Sequence, residues 1–148
     1  VNAKVLVGFL VATAPLWATQ GEDPGKDLDA LRGTWKVIEL TEKGEKIPAK
    51  ELEPVEVVML GTKMTVNDEG KLRDEITMKL NASKKPKTMD LHYTKGKFAG
   101  KVERCIYHVE GDTLKICVNE KENGERPAEF ASTKENEFAV VVLKKVKD

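Results

Sequence analysis

Arg104-Cys105-Ile106-Tyr107-His108-Val109-Glu110-Gly111-Asp112-Thr113-Leu114-Lys115-Ile116-Cys117-Val118-Asn119 is two short alternating runs joined by a turn, and its register decides the fold class. Gly at the first central position of Glu110-Gly111-Asp112-Thr113 suits a two-residue type II′ hairpin, which needs a positive φ there. That turn pairs Val109 with Leu114, Tyr107 with Ile116 and Cys105 with Val118, leaving one face wholly apolar. The other face carries Ile106, His108, Glu110, Thr113, Lys115 and Cys117, so the two cysteines point to opposite sides of a sheet. A three-residue loop would set Cys105 against Cys117 but would mix His108 and Glu110 with Leu114 and Ile116. The first register is preferred, and it argues against a disulfide even though an exported chain with two cysteines invites one.

The same period of two runs through the chain. Between Lys71 and Leu80, Leu72, Asp74, Ile76, Met78 and Leu80 alternate with Lys71, Arg73, Glu75, Thr77 and Lys79, a strand with one dry face. Asp74 falls on that face, and a strand end or bulge is the simplest reason for it. Strands are expected at 34–41, 55–60, 63–67, 71–80, 88–94, 101–110, 113–119 and 137–145, with a short extended piece around Phe130. Lys43-Gly44, Gly61-Thr62, Glu69-Gly70, Lys95-Gly96 and Glu135-Asn136 supply turns at short spacing. Only 27–32 reads as helical. About eight antiparallel strands preceded by a short helical turn make an all-β barrel or sandwich, and closure removes the edges that an open sheet exposes.

Ahead of this pattern, Lys4 and the apolar run Val5 to Ala14 have the form of a secretory leader, too short to span a membrane before Pro15 and the acidic stretch Gly21-Glu22-Asp23. The organisation expected is a signal peptide at 1–20, a linker at 21–27 and one domain at 28–148, in an exported, periplasmic or secreted protein. Residues 1–20 hold one lysine and no acid, so 24 basic residues face 25 acidic ones in the remainder. Lysines alternate with acids along the strands instead of gathering, which speaks against nucleic acid as a partner.

Leu31-Arg32-Gly33-Thr34-Trp35-Lys36-Val37, Lys85-Pro86-Lys87 with Asp90-Leu91, Ile106-Tyr107 with Glu110 to Cys117, and Arg126-Pro127 with Glu129-Phe130 occur in one order and spacing. In these words the chain resembles an uncharacterised lipocalin-like domain family abundant in planctomycete bacteria, over most of its mature length. The resemblance implies an exported, small, lipocalin-like β-barrel and brings no activity, ligand or catalytic residue. It marks Gly33, Trp35, Pro86, Asp90, Gly111, Asp112, Cys117, Arg126, Pro127, Phe130, Lys144 and Lys145 as structural positions; Cys105 is outside the pattern. In the wider lipocalin comparison the Trp after the first Gly plugs the closed end beneath a basic residue of the last strand. Trp35 with Lys144 or Lys145 fits that arrangement, with Arg126 as the rival cation.

Chemistry is harder to read. On a strand Cys105 and His108 face opposite ways, which disfavours a shared metal or a nucleophilic pair. His92 alternates with Met89, Leu91 and Tyr93 and should face solvent beside Asp90. Asn67-Asp68-Glu69-Gly70 lacks the later ligands of a calcium loop. Neither a phosphate loop nor a nucleophile elbow occurs, so no catalytic residue, metal or cofactor is expected. Arg126 can act as a ligand contact or as a clamp on Asp90 or Asp112. Two functions remain: a barrel that binds a small apolar ligand among Ile76, Met78, Met89, Leu91, Tyr93, Tyr107, Val109, Leu114, Ile116 and Arg126, or a non-enzymatic interaction module whose barrel those side chains fill. Neither reading names a protein partner.

Overall fold

The alternating runs close on themselves. The structure, a computed structural model, describes residues 24–147; the expected leader and residues 21–23 of the expected linker lie outside the described residues. Helix α1 (Pro24–Leu31) is followed by β1 (Gly33–Glu42), the two-residue β2 (Glu45–Lys46) and the single-turn α2 (Ala49–Leu52). Then come β3 (Val55–Leu60), β4 (Lys63–Asp68), β5 (Lys71–Asn81), β6 (Lys87–Lys95), β7 (Val102–Glu110), β8 (Thr113–Asn119) and β9 (Phe138–Lys145). Neighbours pair antiparallel in the order β1-β3-β4-β5-β6-β7-β8-β9, and β9 returns to β1, so eight strands form a closed barrel with β2 appended to β1.

The β7–β8 hairpin has the register that its turn demands: Val109 faces Leu114, Tyr107 faces Ile116 and Cys105 faces Val118. Gly111 has φ 59°, the positive value a type II′ turn places at its first central residue. Both cysteines are free and buried, Cys105 inside the barrel and Cys117 on the outer face.

Four sequence expectations need correction. Helix α1 starts at Pro24, so 24–27 is helix instead of linker; Pro is well suited to a first helical turn. The hairpin extension β2 and helix α2 were not foreseen, because two and four residues are too few to carry a periodicity. Phe130 lies in no strand; the segment 120–137 instead runs over the outside of β7 and β8. Finally, Leu72 is 53% exposed. Val66 pairs with Asp74 and Asn67 with Leu72, so Arg73 is an extra residue and the bulge turns Leu72 outward. Asp74 keeps its inward place and is 3% exposed.

The core is a stack of inward residues, among them Trp35, Met59, Ile76, Met78, Met89, Tyr107 and Leu114, all 2% exposed or less. They fill the end of the barrel that α1 covers. Trp35 Nε1 donates to the Leu31 carbonyl at 2.7 Å, while Lys145 Nζ lies 5.1 Å from the Trp35 ring centre and donates to the Ala30 carbonyl at 2.7 Å. Of the cations considered for this position, Lys145 occupies it. Lys144 reaches toward Asp112 on the outside, 3.9 Å away.

Candidate functional site

The opposite end, bearing α2 and the turns at 69–70 and 96–100, is less completely filled. A cavity of about 230 Å³ remains there inside the barrel. Val37 and Leu40 of β1, Val55 and Val57 of β3, Met64 and Val66 of β4, and Ile116, Val118, Val141 and Leu143 of β8 and β9 give it an aliphatic wall. Leu52 closes over it from α2. That helix is short, but the β2 hairpin and the 2.8 Å bond from Ile47 N to the Leu40 carbonyl bring the chain back across the barrel mouth, leaving Leu52 only 6% exposed.

The remaining wall is polar. Arg73, Tyr93 and Glu103 join the lining from β5, β6 and β7. Tyr93 alternates with Met89 and Leu91, and Glu103 with Cys105 and Tyr107, so both side chains face inward by strand parity. The Tyr93 hydroxyl donates to Glu103 Oε1 at 2.5 Å, and Lys101 Nζ lies 3.2 Å from Glu103 Oε2. Arg73 Nε donates to Asp74 Oδ2 at 2.9 Å, while Asp74 Oδ1 is buried with no hydrogen-bond partner. Burial first, and then the Glu103 and Asp74 carboxylates, push the Tyr93 phenol well above its ordinary range and keep it protonated as a donor.

Of the residues expected to line a ligand site, Leu91, Tyr93 and Ile116 line this cavity. Ile76, Met78, Met89, Tyr107 and Leu114 belong instead to the packed half, with Val109 beside them. Tyr107 is committed elsewhere: its hydroxyl donates to Asp27 Oδ2 at 2.6 Å, and Lys87 Nζ donates to the same oxygen at 3.0 Å, which anchors α1 against the closed end. Arg126 lies outside the barrel. Its Nη2 donates to Asp90 Oδ1 at 2.6 Å and its Nη1 to the Cys105 carbonyl at 2.8 Å, the clamp arrangement rather than a ligand contact. Next to it Pro127 is fully buried, and Cys117 Sγ is 4.0 Å from the Ala131 carbonyl. Pro86 follows a cis peptide bond in the link between β5 and β6, and Phe130 lies under the Lys115 ammonium at 5.8 Å.

Reading the sequence missed the residues that matter most at the mouth. Glu103 had the parity of Cys105 and Tyr107, a usable signal. Arg73 had none, because only the bulge places it there. On the rim outside the cavity, Glu42, Lys43, Glu120 and Glu137 border an open cleft of about 460 Å³. Partial desolvation and a hydrogen bond and charge from Glu42 push the Glu120 carboxyl up to about 7.

Among the described residues no group of three or more His, Cys, Asp or Glu side chains is arranged to hold a metal, and no helix is long and apolar enough to cross a membrane. Comparison with protein-family models, curated proteins and solved structures finds no match to this chain.

Proposed function

We propose that the protein is an exported lipocalin-like barrel that holds a small apolar ligand in the open half of its interior. The observation that carries this reading is the aliphatic cavity of about 230 Å³ beneath Leu52. A cavity of about 150 Å³ accepts benzene, so roughly ten non-hydrogen atoms fit in this one. Export rests on the leader-like run Val5 to Ala14 after Lys4, and the lipocalin-like assignment on the Gly33-Thr34-Trp35 motif together with Lys145 over Trp35. The competing interaction-module reading requires a filled barrel, and the packing at the closed end supports it for that half alone.

Propylbenzene, with an apolar body of suitable size, tests the reading. At a hundredfold its Kd it should stabilise the protein by about 2.7 kcal/mol against unfolding, by linkage. In Val141→Trp the indole fills the cavity, so binding measured by calorimetry should disappear while the fold persists. Equal binding by this variant, or none by the parent protein, contradicts the proposal.

A further inference from the structure

The chain has four methionines, and all four lie inside the barrel, 4% exposed or less, on the consecutive strands β3 to β6. Met64 lines the cavity. The other three belong to the packed layer beneath it. Along β3, Met59 is the next inward residue after Val57, and along β6, Met89 is the next after Leu91. Met78 of β5 stands opposite Leu91 in the ladder, and Met59 stands opposite Met64.

The floor of the cavity therefore has two kinds of material. Toward β1 and β7 it is Trp35 and Tyr107, rings whose polar atoms are tied down. Trp35 Nε1 donates to the Leu31 carbonyl at 2.7 Å, and the Tyr107 hydroxyl donates to Asp27 Oδ2 at 2.6 Å. Pushing either ring aside breaks a buried hydrogen bond, and stiff rings in a close-packed interior have nowhere to turn. Toward β3 to β6 the floor is thioether chains. A thioether is at most a weak acceptor, and each methionine has three rotatable side-chain bonds, so these residues change shape at small cost and refill irregular space. A tail entering from the cavity meets least resistance along the methionine wall.

Resting on the apolar-cavity reading, we propose that Met59, Met78 and Met89 determine specificity for ligand length, forming a yielding floor that admits alkyl tails longer than the cavity of about 230 Å³ holds at rest. The ligand class is an apolar molecule with an unbranched tail. Its head remains beneath Leu52 and its tail runs down β3 to β6, away from the anchored Trp35 and Tyr107 rings. No covalent step is involved.

The n-alkylbenzenes from propylbenzene to heptylbenzene, titrated by calorimetry, measure this floor. A rigid cavity with room for roughly ten non-hydrogen atoms stops gaining affinity near butylbenzene. A yielding one should go on gaining, about two- to fourfold per added methylene, so that hexylbenzene binds about tenfold or more tightly than propylbenzene. A tail that left through the mouth past Leu52 would gain in the same way, so a variant decides between the two paths. Met59→Leu, Met78→Leu and Met89→Leu combined keep the volume of the floor but replace flexible chains with branched, stiffer ones. This variant should bind propylbenzene within twofold of the parent, which also reports an intact cavity, and hexylbenzene no more tightly than propylbenzene. A second measurement uses the unaltered chain with 13C-methyl methionine: hexylbenzene should shift the Met59, Met78 and Met89 signals, whereas propylbenzene shifts that of Met64 alone. Affinity that levels off at butylbenzene, a gain that the leucine variant retains, or unmoved Met59, Met78 and Met89 signals overturns the yielding floor and leaves the cavity reading standing. Failure of every alkylbenzene to bind overturns both.

Discussion

Tyr107 and Asp27, 80 residues apart, meet at 2.6 Å where helix α1 seals the barrel, and the hydroxyl is the donor. Both residues are buried, Tyr107 at 1% and Asp27 at 4% exposure, and Lys87 adds a second donor to the same carboxylate oxygen. An acid is tolerated at this depth because its charge is met by an ammonium and a hydroxyl.

Replacing Tyr107 with Phe keeps the ring in the core and removes only the hydroxyl. The bond lost has a charged acceptor, so the change should cost about 1.5–3 kcal/mol, read as a lower urea midpoint at unchanged m-value. Asp27→Ala should cost more, because it removes the acceptor of both the Lys87 ammonium and the Tyr107 hydroxyl. A Tyr107→Phe variant as stable as the parent would show that the Tyr107 hydroxyl contributes nothing to holding α1.

Trp35 sits between α1 and the last strand, opposite Lys145 in the β1–β9 ladder. Its removal in Trp35→Ala leaves a large void at the closed end and should cost about 3–5 kcal/mol. Lys145→Met retains the aliphatic stem but loses the cation over the indole and the bond to the Ala30 carbonyl; about 1–2 kcal/mol is expected. Thermal unfolding of the two variants should rank them in that order. Equal losses would mean that the ammonium, not the ring, holds the plug.

How far the sequence could be read depends on what each residue's position rests on. Strand parity and two-residue turns are local, so Tyr107, Leu114, Ile116 and the outward Cys117 could be placed from the Gly111 turn alone. Leu72 could not, because the extra Arg73 that turns it outward is inserted against Val66 and Asn67 of another strand. The same bulge brings Arg73 to the cavity. Leu52 was equally hidden: it covers the mouth only because the β2 hairpin folds the chain back over the barrel. Division of the interior into a packed half and an open half is a sum over eight strands of side-chain volumes, and no single segment contains it. Inward parity therefore found Leu91, Tyr93 and Ile116 but could not separate them from Ile76, Met78 and Met89.

Glu120 gives the fold a pH dependence of unusual sign. Its carboxyl is pushed from an ordinary value near 4.5 to about 7 by desolvation and by Glu42, with Glu103 adding to the effect and Lys101 opposing it. Between these values the folded chain holds a proton that the unfolded chain has released. This group's contribution is therefore full below about pH 4.5 and declines as pH rises through about 7. Its exposed position on the rim keeps the effect shallow through solvent screening. Comparing urea midpoints of parent and Glu120→Gln from pH 5 to pH 8, the variant should gain relative stability as pH rises. A difference that is constant across this range would remove Glu120 as its source.

Arg126 fastens the 120–137 segment over the outer face of β7 and β8, where Ile106 and Cys117 lie side by side at 1% and 0% exposure. Its guanidinium joins Asp90 on β6 to the Cys105 carbonyl on β7, so one side chain holds the segment to two strands. Burial raises the pKa of both thiols, that of Cys105 most strongly, and neither should react with iodoacetamide in the native protein. Unfolding without reductant should then give two labels per chain, as two free thiols require. Arg126→Leu leaves Asp90 and the carbonyl without their donor, loosening the segment without opening the barrel. Cys117 should consequently label first in this variant while Cys105, inside the barrel, stays protected; simultaneous labelling of both would mean that the clamp holds the barrel itself.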